Sequence, residues 1–347
     1  MPHARITSVA SAVPALVSVH DIAAFLAPEQ GGDKVTHIAA QAEIATKGLA
    51  VDPRAEDPRG WSTHTRMLRA RDEVEPLAER ALGTALSRAG VAPEEVDFFA
   101  PSTSTVQAVP GLDVLADKVG MRENAQRMPL GPAGCYAAVP SLNVCRNQTA
   151  VNGGISVLLV ADMFSPHLQP PPYDNEQAVV LTLFGDGAGS AVIRPGTDGH
   201  PGLDILDVES LYLAEHRDAL KLEPSASGLR MALSPDLPDI VAKGLATPVD
   251  ALLARNRLGR DDIAHWAVHP GGLRVIDAVA STLALPEDQV SASRAAMRAY
   301  GNTAGPAVLT VLERLWDTVI ATPGQHTVIL SFGPGATIYA MLLRSGG

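Results

Sequence analysis

Along "ALSRAGVAPEEVDFFAPS" (Ala85–Ser102) the apolar positions first recur at helical spacing. They then pause at a Gly/Pro turn and merge into a continuous run, the pattern of a helix, a turn and a buried strand. The stretch "LLARNRLGRDDIAHWAVH" (Leu252–His269) repeats that pattern residue for residue. Arg88 falls on Arg255, Glu94-Glu95-Val96 on Asp261-Asp262-Ile263 and Phe99 on Trp266, all at one offset of 167 positions. The same offset carries Gly134-Cys135 onto Gly301-Asn302, and each pair precedes a small-residue stretch of helical pattern. Further on, "LFGDGAGSAVI" (Leu183–Ile193) resembles "SFGPGATIYAM" (Ser331–Met341) at an offset of 148. The shorter offset predicts an extra loop of about twenty residues in the first half, placed at "SPHLQPPPYDNEQ" (Ser165–Gln177).

Three matches in the same order predict a duplicated α/β chain with halves 1–195 and 196–347, divided near the Gly- and Pro-rich joint "RPGTDGHPG" (Arg194–Gly202). The more polar segment Ala27–His64 has no partner in the second half and is read as an inserted cap or entrance region. At the start, Val, Ile, Ser and Ala alternate and Pro14 interrupts the apolar stretch, which favours a first strand over a signal peptide. "NAQRMPL" (Asn124–Leu130) is strand-like. No apolar run reaches the length of about 18 residues that a membrane span requires.

Composition narrows the partners. The 347 residues are 46% hydrophobic and 19% charged, an ordinary globular balance. A net charge of −11 argues against nucleic acid or an anionic membrane as the main partner. The two cysteines, Cys135 and Cys145, lie about 15 Å apart if they share a helix. A bridge needs α-carbons within about 7 Å, so both are expected to be thiols in a reducing, cytoplasmic compartment.

Cys135 stands between a glycine and a helix start, where unpaired backbone N–H groups and the helix dipole favour an anion. That position is expected to lower the thiol's pKa and make a nucleophile, whereas Cys145 reads as a compact core residue. His269 ends a buried strand, and Asn302 sits in a glycine turn before a helix. A pseudo-twofold between the halves brings the helix starts bearing Cys135 and Asn302 together. Cysteine, histidine and asparagine suit acyl transfer, the sulfur taking the acyl group and two neutral donors holding an oxyanion. Backbone N–H groups of "FGPG" (Phe332–Gly335), including Gly333 and Gly335, offer a second oxyanion site, and their glycines allow close approach. "GDGAG" lacks the spacing and the lysine of nucleotide-binding loops. A cysteine hydrolase is disfavoured because its local Cys-Gly-Ser-Cys-Trp-like signature is missing.

"GCYA", "LFGDGAG", "VHPGGLRVIDAV", "AYGNTAG" and "SFGPGAT", in that order, resemble the thiolase superfamily. Within it the chain is similar to the type III polyketide synthases of chalcone synthase type, with features shared with type III ketoacyl synthases. The resemblance implies a duplicated, five-layer αβαβα thiolase-like fold and a homodimer. It implies that Cys135 is acylated by a starter thioester while His269 and Asn302 polarise the malonyl-CoA carbonyl as carbon dioxide leaves, the enolate then attacking the acyl-enzyme. Phe184 matches an aromatic gatekeeper between tunnel and cavity, and Met231 stands where a second gatekeeper aromatic is expected. Thr103 and Val109 lie on the stretch that lines the cavity and crosses the dimer interface, and Gly333, Gly335 and Ala304 complete the implied substrate contacts. No metal is implied, and no cofactor beyond the thioester substrates. The family's lysine-rich CoA-gripping helix has no counterpart beyond the scattered Lys34, Lys47, Arg54, Arg59 and Arg66. An acyl carrier protein is therefore an alternative donor to acyl-CoA and malonyl-CoA. Acyl transfer without condensation, and a non-catalytic partner of another synthase, stand as further alternatives.

Overall fold

The alternating start of the chain forms β1 (Ala4–Ala12), whose residues are mostly buried because both faces are covered. A computed structural model describes residues 3–197 and 199–346, so Asp198, inside the joint between the halves, lies outside the described residues. After β1 come β2 (Leu16–Ser18), α1 (Val19–Leu26), α2 (Gly32–Gln41), β3 (Thr46–Gly48), α3 (Thr63–Ala89), β4 (Val96–Ser102), α4 (Leu115–Lys118) and β5 (Gln126–Arg127). Then follow α5 (Ala138–Asn152), β6 (Ile155–Asp162), α6 (Asn175–Leu183) and β7 (Gly187–Pro195). The remainder supplies β8 (Gly202–Tyr212), β9 (Leu220–Ser225), β10 (Gly228–Leu233), α7 (Leu237–Arg255) and β11 (Ile263–Val268). It closes with α8 (Leu273–Leu283), α9 (Glu287–Tyr300), α10 (Ala307–Ile320), β12 (His326–Gly333) and β13 (Thr337–Gly346).

The strand order shows the repeat. One side of the sheet runs β5-β4-β6-β7-β1 and the other runs β11-β12-β13-β8. β4 pairs β6 in parallel while β6–β7 and β7–β1 are antiparallel, and β11, β12, β13 and β8 repeat the same three pairings. Among the described residues the second side has no counterpart of β5. β1 and β8 meet through Arg5–Asp204 and Ile6–Leu203, which joins the two sides into one nine-stranded sheet. The echoed residues do matching work. Arg88 donates to the carbonyl of Val9 in β1 at 2.7 Å, and Arg255 to that of Val208 in β8 at 3.2 Å. Glu95 caps the turn at the Ala92 N–H and Asp262 caps it at the Gly259 N–H, each at 2.7 Å.

Helices α5 and α10 form the middle layer. Their small and aliphatic residues, among them Ala138, Leu142, Val308 and Leu309, pack in one core with Ile6, Ile193, Ile205 and Ile329 from both sides of the sheet. A helix enclosed between the two sides of the sheet is apolar nearly all round, as the buried run Ala307–Leu312 shows. Outside, α3 covers the first half's strands around Phe99, and α7 and α8 cover the second half's around Trp266. The result is the expected αβαβα layering.

The loop asymmetry is present too. β6 and β7 are joined by residues 163–186, which contain α6, whereas only residues 334–336 join β12 to β13. "NAQRMPL" forms a regular strand only over Gln126–Arg127, and Pro129 has no N–H to give, but Met128 and Leu130 still donate to the Phe99 and Pro101 carbonyls of β4 at 2.9 and 2.8 Å. The segment Ala27–His64 is more deeply built in than a surface cap, with Val35, Ala39 and Ile44 buried in the second half's core. Most of its cations are occupied. Arg54 pairs with Asp52 at 2.8 Å and Arg59 with Asp57 and Glu29 at 2.7 Å, while Lys47 is buried. Buried Arg66, just beyond the segment, donates to the carbonyls of Arg59, Trp61, Pro166 and Leu168.

Phe99→Ala and Trp266→Ala are each expected to lower the unfolding free energy by about 3–5 kcal/mol in equilibrium urea denaturation. A loss under about 1 kcal/mol at either position contradicts their twin roles under the outer helices.

Candidate active site

The turn that carries Cys135 is built on glycine. Gly134 has φ +63°, and a Cβ there would lie 2.6 Å from the Pro334 ring, so a side chain is barred twice over. Its N–H donates to Ser104 Oγ at 2.7 Å. Cys135 follows in the short 3-10 turn Gly134–Tyr136, which runs directly into α5, so the sulfur sits at a helix N-terminus between the two halves. On the opposite side Gly333 passes so close that a Cβ would lie 3.2 Å from the Cys135 nitrogen and 2.8 Å from the Tyr136 ring.

Asn302 comes from the equivalent turn of the second half. Its N–H donates to the Leu183 carbonyl at 2.8 Å, and its carbonyl accepts from Gly185 N–H at 3.1 Å, a bridge that pairs Asn302 with Phe184. Asn302 Oδ1 accepts the Ala304 N–H at 2.8 Å. An N–H only donates, so this contact orients the carboxamide, whose amide hydrogen-bonds the Cys135 sulfur. His269 ends β11, anchored by its N–H on the Leu330 carbonyl at 2.8 Å, with its ring edge-on to Phe332. Nδ1 of this ring is buried without a protein partner.

Cys135, His269, Asn302, Phe184, Phe332 and Gly333 line one cavity of about 20 Å³, closed by leucine, isoleucine and valine side chains. Phe184 is also a wall of a second cavity of about 50 Å³ that holds Met231. The aromatic partner of Phe184 is therefore Phe164, with ring centroids 4.8 Å apart, and Met231 lines the space beyond. Thr103 and Val109 are elsewhere, on an open groove with Leu112 and Leu130, where Val109 is fully exposed. Gly335 (φ +75°) makes the β12–β13 turn, and Ala304 acts through its backbone N–H while its methyl lies in the core. Neither lines the Cys135 cavity.

The electrostatics correct one expectation. The Cys135 thiol is pushed up to about 12, because burial first and the Asp162 carboxylate second outweigh the Asn302 hydrogen bond. The helix N-terminus does not make a resting thiolate. Burial likewise brings His269 down to about 3, so the imidazole is neutral. Asp162, at the end of β6, is a participant that the sequence reading missed. It accepts from Ser104 N–H at 2.7 Å, Thr105 Oγ1 at 3.2 Å and Gly305 N–H at 3.1 Å, yet burial still raises it to about 6. An acid closing an apolar strand run was the available signal. Lys47, brought down to about 8 by burial against the pull of Asp186, lines the second cavity. Among the described residues no group of three His, Cys, Asp or Glu side chains is arranged to hold a metal ion, and no helix is long and apolar enough to cross a membrane.

Comparison with known proteins agrees with this geometry. Residues 35–198 match the chalcone and stilbene synthases, N-terminal domain, and residues 208–346 match the C-terminal domain of the same family. The 3,5-dihydroxyphenylacetyl-CoA synthase of Streptomyces toyocaensis is 32% identical over 277 residues, covering 77% of this chain and 71% of that protein. The 1,3,6,8-tetrahydroxynaphthalene synthase of Streptomyces peucetius subsp. caesius is 32% identical over 275 residues, covering 77% and 72%. In fold, PKS-I from the brown alga Ectocarpus siliculosus superposes with a TM-score of 0.90 at 24% identity over 99% of each chain. The C-terminal type III polyketide synthase domain of Steely1 from Dictyostelium gives 0.92 at 18% identity, over 99% of this chain and 100% of that one. A duplicated thiolase-like fold, both family domains in order and relatives that are polyketide-type synthases lead to one assignment: the chain belongs to the chalcone and stilbene synthase family, the type III polyketide synthases of the thiolase superfamily.

Proposed function

We propose that this polyketide synthase joins a starter acyl thioester to malonyl-CoA by decarboxylative Claisen condensation through an acyl-Cys135 intermediate. The observation that carries the reading is the convergence of Cys135 from the first half with His269 and Asn302 from the second on one small cavity. The proposal takes the chain as halves 1–195 and 196–347, acting as a homodimer in the cytoplasm.

The resting pair is uncharged, a protonated thiol beside a neutral imidazole. In the first step the Cys135 sulfur attacks the starter's carbonyl carbon and its proton passes to the His269 ring. The bond from carbonyl carbon to CoA sulfur breaks, and that sulfur leaves with the proton. The helix N-terminus then serves the transient thiolate rather than a resting one. In the second step, N–H donors from His269 and Asn302 hold the malonyl thioester oxygen. The carboxylate carbon leaves as carbon dioxide, and its bonding pair becomes the enolate. Neutral donors fixed in a water-poor site favour that oxyanion without reorganising. The enolate carbon attacks the acyl-Cys135 carbonyl, and the released sulfur regains a proton.

A carrier-protein thioester as donor is favoured by one observation. Arg54 and Arg59 are held by carboxylates and Lys47 and Arg66 are buried, which leaves Lys34 alone of the five candidate cations for a CoA-gripping role. On this account malonyl-pantetheine and malonyl-CoA differ by less than about threefold in KM, whereas a tenfold penalty for losing the nucleotide, about 1.4 kcal/mol, restores CoA as the donor.

Cys135→Ala is expected to abolish product while retaining carbon dioxide release from labelled malonyl thioester. Asn302→Ala should cut that release by about 10²–10³-fold, the cost of one oxyanion donor. Product formed by the Cys135→Ala enzyme sinks the acyl-enzyme. Because the folded thiol stays protonated until far above neutrality, alkylation of Cys135 in the free protein should rise tenfold per pH unit from pH 7 past pH 10. A plateau below pH 9 contradicts the buried neutral thiol.

A further inference from the structure

The cavity beyond Phe184 has apolar walls, including Leu49, Val51 and Leu229, and several polar side chains reach it. Most of these are spent on protein partners. Ser165 Oγ donates to Asp186 and accepts from Val51 N–H at 3.0 Å. His167 accepts the Leu229 N–H at Nδ1, 3.3 Å away, which leaves Nε2 to donate to the Thr105 carbonyl at 3.1 Å. Gln169 Nε2 donates to the carbonyls of His167, Ser227 and Leu229.

Gln177 differs. It is 2% exposed, and Nε2 donates to the Met231 carbonyl at 3.0 Å. A carbonyl only accepts, so that contact decides which end of the carboxamide faces Met231. Gln177 Oε1 is left buried with no protein partner. Such an acceptor is costly to bury unless something donates to it. One turn along the same helix, Lys47 Nζ donates to the Leu181 carbonyl while its side chain lines the same cavity. An ammonium carries three donors, so a single carbonyl does not exhaust it.

We propose that this cavity reads an oxygenated acyl chain, with Gln177 Oε1 accepting from a hydroxyl or enol O–H of the chain and Lys47 Nζ donating to a neighbouring carbonyl. The inference rests on the acyl-Cys135 reading, since Phe184 lines both this cavity and the one that holds the sulfur. A plain alkyl chain satisfies the walls but leaves Gln177 Oε1 unpaired. A chain with β-carbonyls, one of them enolised, supplies both the donor and the acceptor. Sites built to hydrogen-bond a substrate O–H discriminate strongly against the analogue that lacks it.

The test compares octanoyl-CoA with a series of hydroxyoctanoyl-CoA thioesters in which the hydroxyl is moved along the chain. Binding is measured by calorimetry to Cys135→Ala protein, where no turnover intervenes. At least one hydroxylated member should bind about tenfold tighter than octanoyl-CoA, and Gln177→Leu in the same background should bring it within about twofold. The inference is overturned if no hydroxylated member gains over octanoyl-CoA, as it would be if Gln177 Oε1 served a water alone, or if the gain survives Gln177→Leu. The comparison of thioesters on one protein does not depend on the second variant folding. Intact mass of the wild-type protein after incubation with the same series decides the underlying reading separately: absence of any acyl adduct on Cys135 removes the acyl-enzyme, while the binding ratio still decides the cavity.

Discussion

Backbone packing where the halves meet is the constraint on which the site depends. Gly134, Gly305 and Gly333 leave no room for a Cβ, which would lie 2.6 Å from Pro334, 2.6 Å from Val160 and 2.8 Å from Tyr136 respectively. These contacts let the turn before α5, the start of α10 and the end of β12 share one small volume. Every distance in the active site inherits that approach. Asp162 reinforces it electrostatically, since one carboxylate takes N–H groups from Ser104 in the first half and Gly305 in the second. A charge buried among donors is tolerated only while those donors stay in place, so Asp162 resists separation of the halves.

The same packing sets the chemistry. Excluding water raises the Cys135 thiol and lowers the His269 imidazole, so neither group holds charge at rest. A thiolate exposed to water would react with many electrophiles. A thiol that ionises only as it attacks responds to a thioester already bound in the cavity.

Much of this was legible in the sequence, for a physical reason. The repeat spacing of 167 positions registers equivalent turns, so Gly134-Cys135 and Gly301-Asn302 could be placed at matching helix starts without coordinates. Glu95 and Asp262 likewise betray their turn through local capping, an interaction between neighbours in the chain. What depends on distant contacts was not legible. The sign of the Cys135 shift follows from burial by Phe332, Gly333 and their surroundings rather than from the helix start. Phe164 meets Phe184 only because the β6–β7 connection folds back on itself, so that ring pair is written in no local pattern. Thr103 and Val109 line an open groove of this chain, while Ser104 between them accepts the Gly134 N–H beside Cys135, contacts that no local pattern encodes.

The bridge between Phe184 and Asn302 adds a consequence for how the two cavities communicate. Leu183, Phe184 and Gly185 are fixed to the Asn302 backbone by two hydrogen bonds, and Asp186 is fixed to Gly48 in the β2–β3 ribbon. The ring that lines both cavities is thus mounted on backbone bonded to the residue whose carboxamide faces Cys135. Displacing Phe184 by a backbone shift would disturb the Asn302 hydrogen bond to the sulfur, whereas rotating its side chain would not. A rotamer change of Phe184 against Phe164 would leave that backbone, and the Asn302 carboxamide with it, in place. The duplicated fold accordingly separates two duties that lie in contact: backbone registers the chemistry, and side chains govern access.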